Sequence, residues 1–324
     1  MCYTESTANL SPWIFLCVSR KNPPCITKID MNYEEFLSEV RMQLTARIEE
    51  DATLQVRTMP RNNGTHYDGL VIIRPGRNIS PAIYLTPYYH RYLSGVAMED
   101  IYEDILSAYR KRLPEEDFDT GIFTSFEKVR SRLVMRLVHY GRNEELLRDV
   151  PHCRFHDLAV TFCCLLRADE ENQASILVHN EHMELWKVDR LTLFAEAQAN
   201  TPILLPPQIT PFSELVHGLP VPELSEVCGL EVPMFVATNR SRTNGAAVIL
   251  YEGQLAAMAD FVDADLIILP SSVHEVILLP AEDDSTLEEC SHMVREVNET
   301  QLADEEILSD HAYYYDRATK EIRC

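Results

Sequence analysis

The chain has 324 residues, of which 46% are hydrophobic and 25% are charged, and its formal net charge is −22. This composition is typical of a globular protein, and the length favours about two domains. No apolar run approaches the roughly 20 residues that a membrane-spanning helix needs, so we expect no membrane partner.

The charge is spread unevenly along the chain. Residues 1–150 carry 19 Lys and Arg against 21 Asp and Glu, whereas residues 151–324 carry 10 against 30. Nucleic-acid recognition depends on Lys and Arg side chains that neutralise phosphates. We therefore expect no direct nucleic-acid binding, and we expect that a binding partner is another protein.

The cysteines and the N-terminal segment predict a cytoplasmic protein. The nine cysteines include no C-x-x-C pair, and an odd, scattered set argues against a disulfide framework. The apolar patch at residues 12–18 is short and follows Glu5 with no basic residue before it, which makes it a poor signal peptide. No motif points to a cofactor, and we expect none.

The first half of the chain predicts an N-terminal extension followed by helices and one hairpin. Residues 1–30 lack periodicity and predict a disordered segment, whereas Phe36, Val40, Leu44 and Ile48 form one stripe of a helix over residues 31–50. Thr124 and Glu127 predict a capping box at the start of another helix over residues 124–141. The remaining elements expected here are a hairpin around an Asn-Gly turn at 53–60 and 69–75 and two helices near 86–93 and 98–112.

The second half predicts further strand pairs that alternate with helices. A proline-rich stretch at residues 202–224 marks the expected domain boundary. The expected elements are a strand pair in 155–180, helices in 181–201, a hairpin in 234–250, a helix at 253–262, a hairpin at 266–280, a helix at 284–298 and a final strand in 311–323.

These elements predict an α+β fold in which repeated strand-turn-strand-helix units form antiparallel sheets with packed helices. We expect an N-terminal α+β domain at residues 31–205 and an acidic C-terminal α+β domain at 206–324. The C-terminal domain would have a ββαββα order that is profilin-like in outline.

Several phrases of the chain carry a resemblance to a known family. Over residues 31–324 the chain resembles an uncharacterised domain-of-unknown-function family of gut bacterial proteins, and the C-terminal half is distantly similar to the YtpQ-like family. The phrases include "VPHCRFHDLAVTF", "TNRSRTNGAAVILYEG", "LPSSVHEVILLP" and "LSDHAYYYDRATKEI". The resemblance implies a bacterial cytoplasmic protein and assigns no catalytic residue.

Ser271, Ser272, His274 and Glu275 contain the residue types of a hydrolytic triad within five positions. Successive side chains of a strand point to opposite faces, so His274 and Glu275 would diverge. No glycine-flanked nucleophile elbow surrounds the serines. We predict a hairpin turn with exposed serines and a histidine at its rim, and we assign no catalytic residue.

Two other sets of residues are candidate sites. His152, His156, His179 and His182 occupy two neighbouring segments and form a candidate metal site for zinc or iron, although neither segment matches a tight metal motif. The alternative is a polar cap of histidine–carboxylate hydrogen bonds. Arg240 and Arg242 lie in a polar loop and form a candidate anion-binding site, the alternative being ion pairs with nearby acids.

The leading functional hypothesis is a non-enzymatic protein-interaction or regulatory module. It depends on missing catalytic signatures and on the acidic C-terminal half. One alternative is an unrecognised enzyme or ligand-binding protein that uses the histidines or the arginine loop. Another is an acidic mimic of nucleic acid that blocks a DNA-binding partner.

Overall fold

A computed structural model describes residues 31–78, 80–113, 120–168, 173–215 and 233–324 of the chain. The predicted N-terminal extension, residues 1–30, lies outside the described residues. The described α-helices are α1 (Tyr33–Thr45), α2 (Thr86–Leu93), α3 (Met98–Arg112), α4 (Phe126–Val129), α5 (Glu144–Leu147), α6 (Asn180–Trp186), α7 (Arg190–Leu204), α8 (Phe212–Leu215), α9 (Gln254–Val262) and α10 (Leu287–Thr300).

The described strands form three antiparallel sheets. Sheet 1 has the order β1-β2-β3, sheet 2 has the order β4-β6-β5 with β7 also paired to β6, and sheet 3 has the order β13-β12-β10-β11-β9-β8. The strands are β1 (Thr53–Pro60), β2 (His66–Ile73), β3 (Ala82–Tyr84), β4 (Leu133–His139), β5 (His152–Phe155), β6 (Leu158–Ala168), β7 (Gln173–Leu177), β8 (Pro207–Pro211), β9 (Phe235–Asn239), β10 (Asp265–Ser272), β11 (Glu275–Ala281), β12 (Tyr313–Asp316) and β13 (Glu321–Arg323).

The described residues divide into two compact units. Unit 1 contains residues 31–61 and the described part of 65–121, and unit 2 contains residues 62–64 and the described part of 122–324. Sheet 1 with α1, α2 and α3 belongs to unit 1, and the other two sheets belong to unit 2. The division into domains at 31–205 and 206–324 stays a prediction.

The main elements predicted for unit 1 are present, but the helix predicted over residues 31–50 ends at Thr45, so Ile48 lies outside it. The Asn32 side chain accepts a hydrogen bond from Glu35 N at 3.0 Å, and Glu35 accepts one from Asn32 N at 2.8 Å. This capping box starts α1, whose residues Phe36, Val40 and Leu44 are buried at successive turns. The predicted hairpin is confirmed by the pairing of β1 with β2, and the predicted helices at 86–93 and 98–112 are confirmed as α2 and α3.

The helix predicted over residues 124–141 is wrong. Only Phe126–Val129 is α-helical, a 3-10 turn follows, and Leu133–His139 forms β4, which pairs with β6. Five of the seven residues of β4 are buried and the strand shows no alternation of buried and exposed side chains. A continuous apolar run satisfies the spacing of a helix and of a fully buried strand alike, and pairing with β6 decides between them.

Sheet 3 is covered on both faces. Leu266 and Ile268 of β10 pack into a core shared with sheet 2 and α7, whereas Ile267 and Leu269 pack into a second core against α10. The predicted hairpin at 266–280 is confirmed by the pairing of β10 with β11. The final segment forms two strands instead of one, β12 and β13.

The hairpin predicted over residues 234–250 is half wrong. The first run forms β9, but Gly245–Leu250 forms a 3-10 helix. A Cβ atom at Gly245 would lie 2.1 Å from Thr238 Oγ1 and 2.5 Å from His274 O, so the chain there passes too close to its neighbours to pair as a strand.

The two edge strands of sheet 3 have few free backbone donors or are short. The edge strand β8 contains Pro207 and Pro211, each of which lacks a backbone N–H donor. The other edge strand, β13, has three residues, Glu321–Arg323.

The architecture confirms the predicted α+β fold class with antiparallel sheets and packed helices. Over the described part of the chain, no helix is both long and apolar enough to cross a membrane.

Candidate functional site

A groove of about 480 Å³ lies in unit 2 where the start of β5 meets α6 and α7. A groove of this size is within the range of small-molecule and side-chain binding sites. Its apolar lining is Leu147, Val150, Pro151, Met183 and Leu191, and its polar lining is His152, Asn180, Asp189 and Arg190.

Local hydrogen bonds hold the helices around this groove. Asp189 caps α7 by accepting a hydrogen bond from Thr192 N at 2.8 Å, which places Arg190 in the first turn. Arg190 Nη1 donates to the backbone oxygen of His152 at 3.1 Å and so joins α7 to β5. Asn180 N donates to Asp149 O at 2.9 Å, which fixes the start of α6.

His152 is the predicted metal ligand that lines the groove. Its Nδ1 lies 2.9 Å from the carbonyl oxygen of Val150. Because a carbonyl can only accept, Nδ1 carries a proton, and a neutral ring keeps its lone pair on Nε2. The ring packs against Tyr140 at a centroid distance of 5.8 Å. His152 therefore offers the groove a hydrogen-bond acceptor in its neutral form.

His179 and His182 are brought together at the start of α6. Their ring centroids are 5.8 Å apart, and His182 Nδ1 accepts a hydrogen bond from His179 N at 2.9 Å. His179 Nδ1 donates to Asp149 Oδ2 at 2.7 Å. Burial, reinforced by the charge of His179, lowers the pKa of His182, whose ring stacks on Trp186. These two histidines form hydrogen bonds that order the helix start.

His156 lies in the tight turn between β5 and β6, where its φ is 53°. Its ring packs against Phe155 at 4.7 Å and Tyr313 at 5.8 Å, and its Nδ1 is 3.5 Å from Cys324 Sγ. Within the described ranges, no three His, Cys, Asp or Glu side chains are grouped so that they could hold a metal ion. Metal binding by His152, His156, His179 and His182 stays a prediction.

The expectation that the serines of the 266–280 hairpin are exposed is wrong. Ser271 and Ser272 are buried, because β10 shifts register between Pro270 and Ser272. Ser272 Oγ accepts a hydrogen bond from His274 N at 3.0 Å. His274 Nδ1 accepts a hydrogen bond from Asn244 N at 3.1 Å. The histidine is thus oriented by a backbone amide, which can only donate and cannot act as the acid of a triad.

Arg240 and Arg242 lie in the loop between β9 and the 3-10 helix, next to this hairpin tip. Both side chains are exposed. Neither forms an ion pair with a described residue, and the alternative expectation of pairing with nearby acids stays untested. Anion binding at these arginines stays a prediction.

The sequence interpretation missed the outer face of α7. Leu191, Ala195, Ala199 and Ile203 recur every four residues and are all exposed, whereas Leu193 and Ala197 are buried on the inner face. The sequence does carry a signal for this face, because the periodicity of residues 190–204 shows two apolar stripes on one helix. The sequence alone does not show that one of these stripes is exposed, because a helix with two apolar stripes resembles an ordinary buried core helix.

A family model described as a family of unknown function (DUF5688) matches residues 33–317. No curated protein and no solved structure matches the chain. The expected resemblance is confirmed at the level of a family of unknown function. A gut bacterial origin and the similarity to the YtpQ-like family stay predictions.

Proposed function

We propose that this chain, which belongs to the DUF5688 family, is a non-enzymatic cytoplasmic protein of bacteria that works by binding another polypeptide. The observation that supports this function is the exposed apolar outer face of α7 beside the groove. Our proposed partner element is an apolar helix that lies along α7.

The outer face of α7 is long and uncharged. Leu191 is 69% exposed and Ile203 is 76% exposed, and the exposed Ala195 and Ala199 lie between them. At 1.5 Å per residue the twelve steps from Leu191 to Ile203 span about 18 Å, or more than three turns. The one acidic side chain of α7, Glu196, pairs with Arg130 at 3.0 Å and so is engaged beside this face.

A helix with this arrangement differs from an ordinary surface helix. The inner face of α7 buries Leu193, Ala197 and Thr201 against the core. Surface helices normally place charged and polar residues opposite such a face, whereas a helix that is apolar on both sides is typical of a buried position. The outer face of α7 is therefore suited to a second packing partner.

The groove continues this face at the N-terminal end of α7. Leu191 belongs to both, and Met183 of α6 supplies apolar lining beyond it. Leu185 of α6 is 58% exposed. A partner helix along α7 could insert one side chain into the groove, where His152 and Arg190 offer polar contacts at the edge.

The available burial is large enough for specific binding. Full burial of a Leu or Ile side chain contributes about 1.5–3 kcal/mol relative to exposure. Most of that contribution is still available at Leu191 and Ile203 because both are more than two-thirds exposed. Covering both would stabilise a complex by about 3 kcal/mol, which is roughly two orders of magnitude in Kd.

The test is the double variant Leu191→Asp with Ile203→Asp, compared with wild type as bait in extract of the source cells. The matched control is Met42→Asp, which changes a side chain that is 59% exposed on α1 of unit 1. We expect wild type and the control to retain one partner in stoichiometric amount. The double variant should lose it while keeping the far-ultraviolet circular dichroism of wild type.

A photoreactive residue at Ala199 identifies the contact directly. It should cross-link to the same partner that the pull-down retains, whereas the same residue at Met42 should not. The proposed function is wrong if the double variant retains the partner as wild type does.

The two alternatives make other predictions. A ligand-binding or enzymatic role of the histidines requires metal or a small molecule to bind the groove, which His152→Ala would abolish. A nucleic-acid mimic requires a basic partner that is displaced by DNA with strong dependence on salt.

A further inference from the structure

The loop that carries Arg240 and Arg242 is closed around a buried side chain. Asn239 is fully buried, and its Nδ2 donates to Thr243 O at 2.9 Å while its Oδ1 accepts from Ser241 Oγ at 2.9 Å. Arg242 N also donates to Asn239 O at 2.9 Å. These bonds fix the path of residues 239–245, which we name the arginine loop.

The arginine loop is also fixed from outside. Asn244 N donates to His274 Nδ1 at 3.1 Å, and Thr238 Oγ1 donates to His274 O at 2.7 Å. Arg240 N donates to Pro206 O at 2.9 Å. These three hydrogen bonds hold the arginine loop against the tip of the 266–280 hairpin and against the residue that precedes β8.

The backbone conformation of the loop is costly. Arg242 and Asn244 both have a φ of 51°, in the left-handed region. Asparagine tolerates this region, but an arginine pays of order 1 kcal/mol or more to occupy it and stays there only when its surroundings determine it. The loop therefore presents Arg242 in a direction that ordinary loop conformations would not give.

Among the described residues, no ion pair neutralises the charge of the two arginines. Residues 122–324 contain 16 Lys and Arg against 34 Asp and Glu. Arg130, Arg142 and Arg317 of the same unit all form ion pairs with carboxylates. Arg240 and Arg242 are exposed and form none with a described residue.

We propose that Arg240 and Arg242 form a binding site for the dianion of a phosphate monoester. Each guanidinium offers two parallel N–H donors that match two oxygens of an anion. A carboxylate has two oxygens and one charge, which a single arginine satisfies. A phosphate monoester has three terminal oxygens and close to two charges at pH 7, so it can engage both arginines together. Because its backbone is already fixed, the loop pays little further backbone entropy when a ligand binds.

The site is independent of the outer face of α7 and of the polypeptide that we propose binds there. The test is calorimetric titration of the full chain with phenyl phosphate, phenyl sulfate and benzoate, which share one ring and differ in the anion. We expect phenyl phosphate to bind at least ten-fold more tightly than phenyl sulfate and benzoate. Inorganic phosphate should compete with it.

The variants are Arg240→Gln and Arg242→Asn, the latter because asparagine tolerates the left-handed region. Each should weaken binding of phenyl phosphate roughly ten-fold, as expected for the loss of charge-assisted hydrogen bonds, and the pair should abolish it. The control is Arg323→Gln, which removes an arginine paired with Asp316 and should leave the affinity unchanged. If Arg242→Asn fails to fold, Arg240→Gln alone decides, since Arg240 has no left-handed φ.

Three results would overturn the proposal. One is that folded wild type binds none of the phosphate probes at millimolar concentration. The others are unchanged binding in the arginine variants, and benzoate binding as tightly as phenyl phosphate. A phosphoserine peptide distinguishes the source of the group: affinity equal to that of phenyl phosphate assigns the site to small phosphate monoesters, and tighter binding assigns it to a phosphorylated protein.

Discussion

Thr201 of α7 provides a hydrogen-bond acceptor for a backbone N–H of the edge strand β4, and removing its hydroxyl should destabilise unit 2. Its Oγ1 donates to Ala197 O and accepts a hydrogen bond from Met135 N at 2.9 Å. Both Thr201 and Met135 are almost completely buried. Thr201→Val keeps the size of the side chain but leaves the Met135 N–H without an acceptor. A buried donor left in this state costs roughly 1–3 kcal/mol, so we expect a loss of about 2 kcal/mol.

The assay is equilibrium unfolding in urea followed by the fluorescence of Trp186, which belongs to the same core, in a Trp13→Phe background. With a slope of about 3 kcal/mol per molar, a loss of about 2 kcal/mol lowers the midpoint by roughly 0.7 M. The slope should not change, because the variant alters a native contact and leaves the surface exposed on unfolding the same.

Two controls isolate the role of the hydroxyl as an acceptor. Thr300 of α10 makes the same bond to the carbonyl four residues earlier, Glu296 O, but is exposed, so Thr300→Val should change stability by about 0.5 kcal/mol or less. Thr201→Ser keeps the hydroxyl and should recover most of the loss. Equal stability of Thr201→Val and wild type would refute the reasoning, since it would mean that the Met135 N–H finds another acceptor at no cost.

Two further predictions concern the end of sheet 3. Burial, and then the charges of Glu305 and Glu275, raise the pKa of Glu306, so the native state keeps a proton that the unfolded chain has released, and stability falls as pH rises above the usual carboxyl pKa. Glu306→Gln should therefore stabilise the protein at pH 8 and not at pH 4, measured by urea unfolding at the two pH values. An equal effect at both would contradict this cause. Gly245→Ala should destabilise the protein by about 2 kcal/mol or more, because the new Cβ would lie 2.1 Å from Thr238 Oγ1 and 2.8 Å from Asn239 N. The measurement is the midpoint of thermal unfolding, which should fall. A midpoint within a degree of wild type would show that the loop can shift without cost.

The sequence predicts elements well where local signals and packing agree. The stripe of Phe36, Val40 and Leu44 predicts α1, and these three residues are buried on the helix that forms. The hairpins around residues 62–64 and 273–274 were predictable for the same reason, since apolar runs flank short polar turns.

Prediction fails where partners distant in sequence decide the structure. Nothing local in residues 133–139 distinguishes a helix from a strand, and only pairing with β6 makes it β4. The run at Gly245–Leu250 reads as a strand, but close approach to Thr238 and His274 makes it a 3-10 helix. Secondary structure is set here by tertiary contacts that a single sequence does not show.

The candidate site was predictable in its residues and not in its arrangement. His152 and Arg240 were identified from sequence, but the groove joins His152 to Arg190 of α7, which follows it by 38 positions. The hydrogen bond between Asn244 and His274 likewise spans 30 positions. Spacing along the chain shows which groups exist, and only the fold shows which of them meet.

The edges of sheet 3 restrict how this protein can associate. An exposed strand edge is a template on which another chain can add a strand, the route to edge-to-edge aggregation. In β8 the prolines at 207 and 211 remove donors from that template, and β13 is short and carries Glu321 and Arg323. Growth of the sheet by addition of strands from other chains is thus disfavoured at both ends. Replacing both prolines of β8 by residues that carry a backbone N–H would restore two donors to that edge of sheet 3.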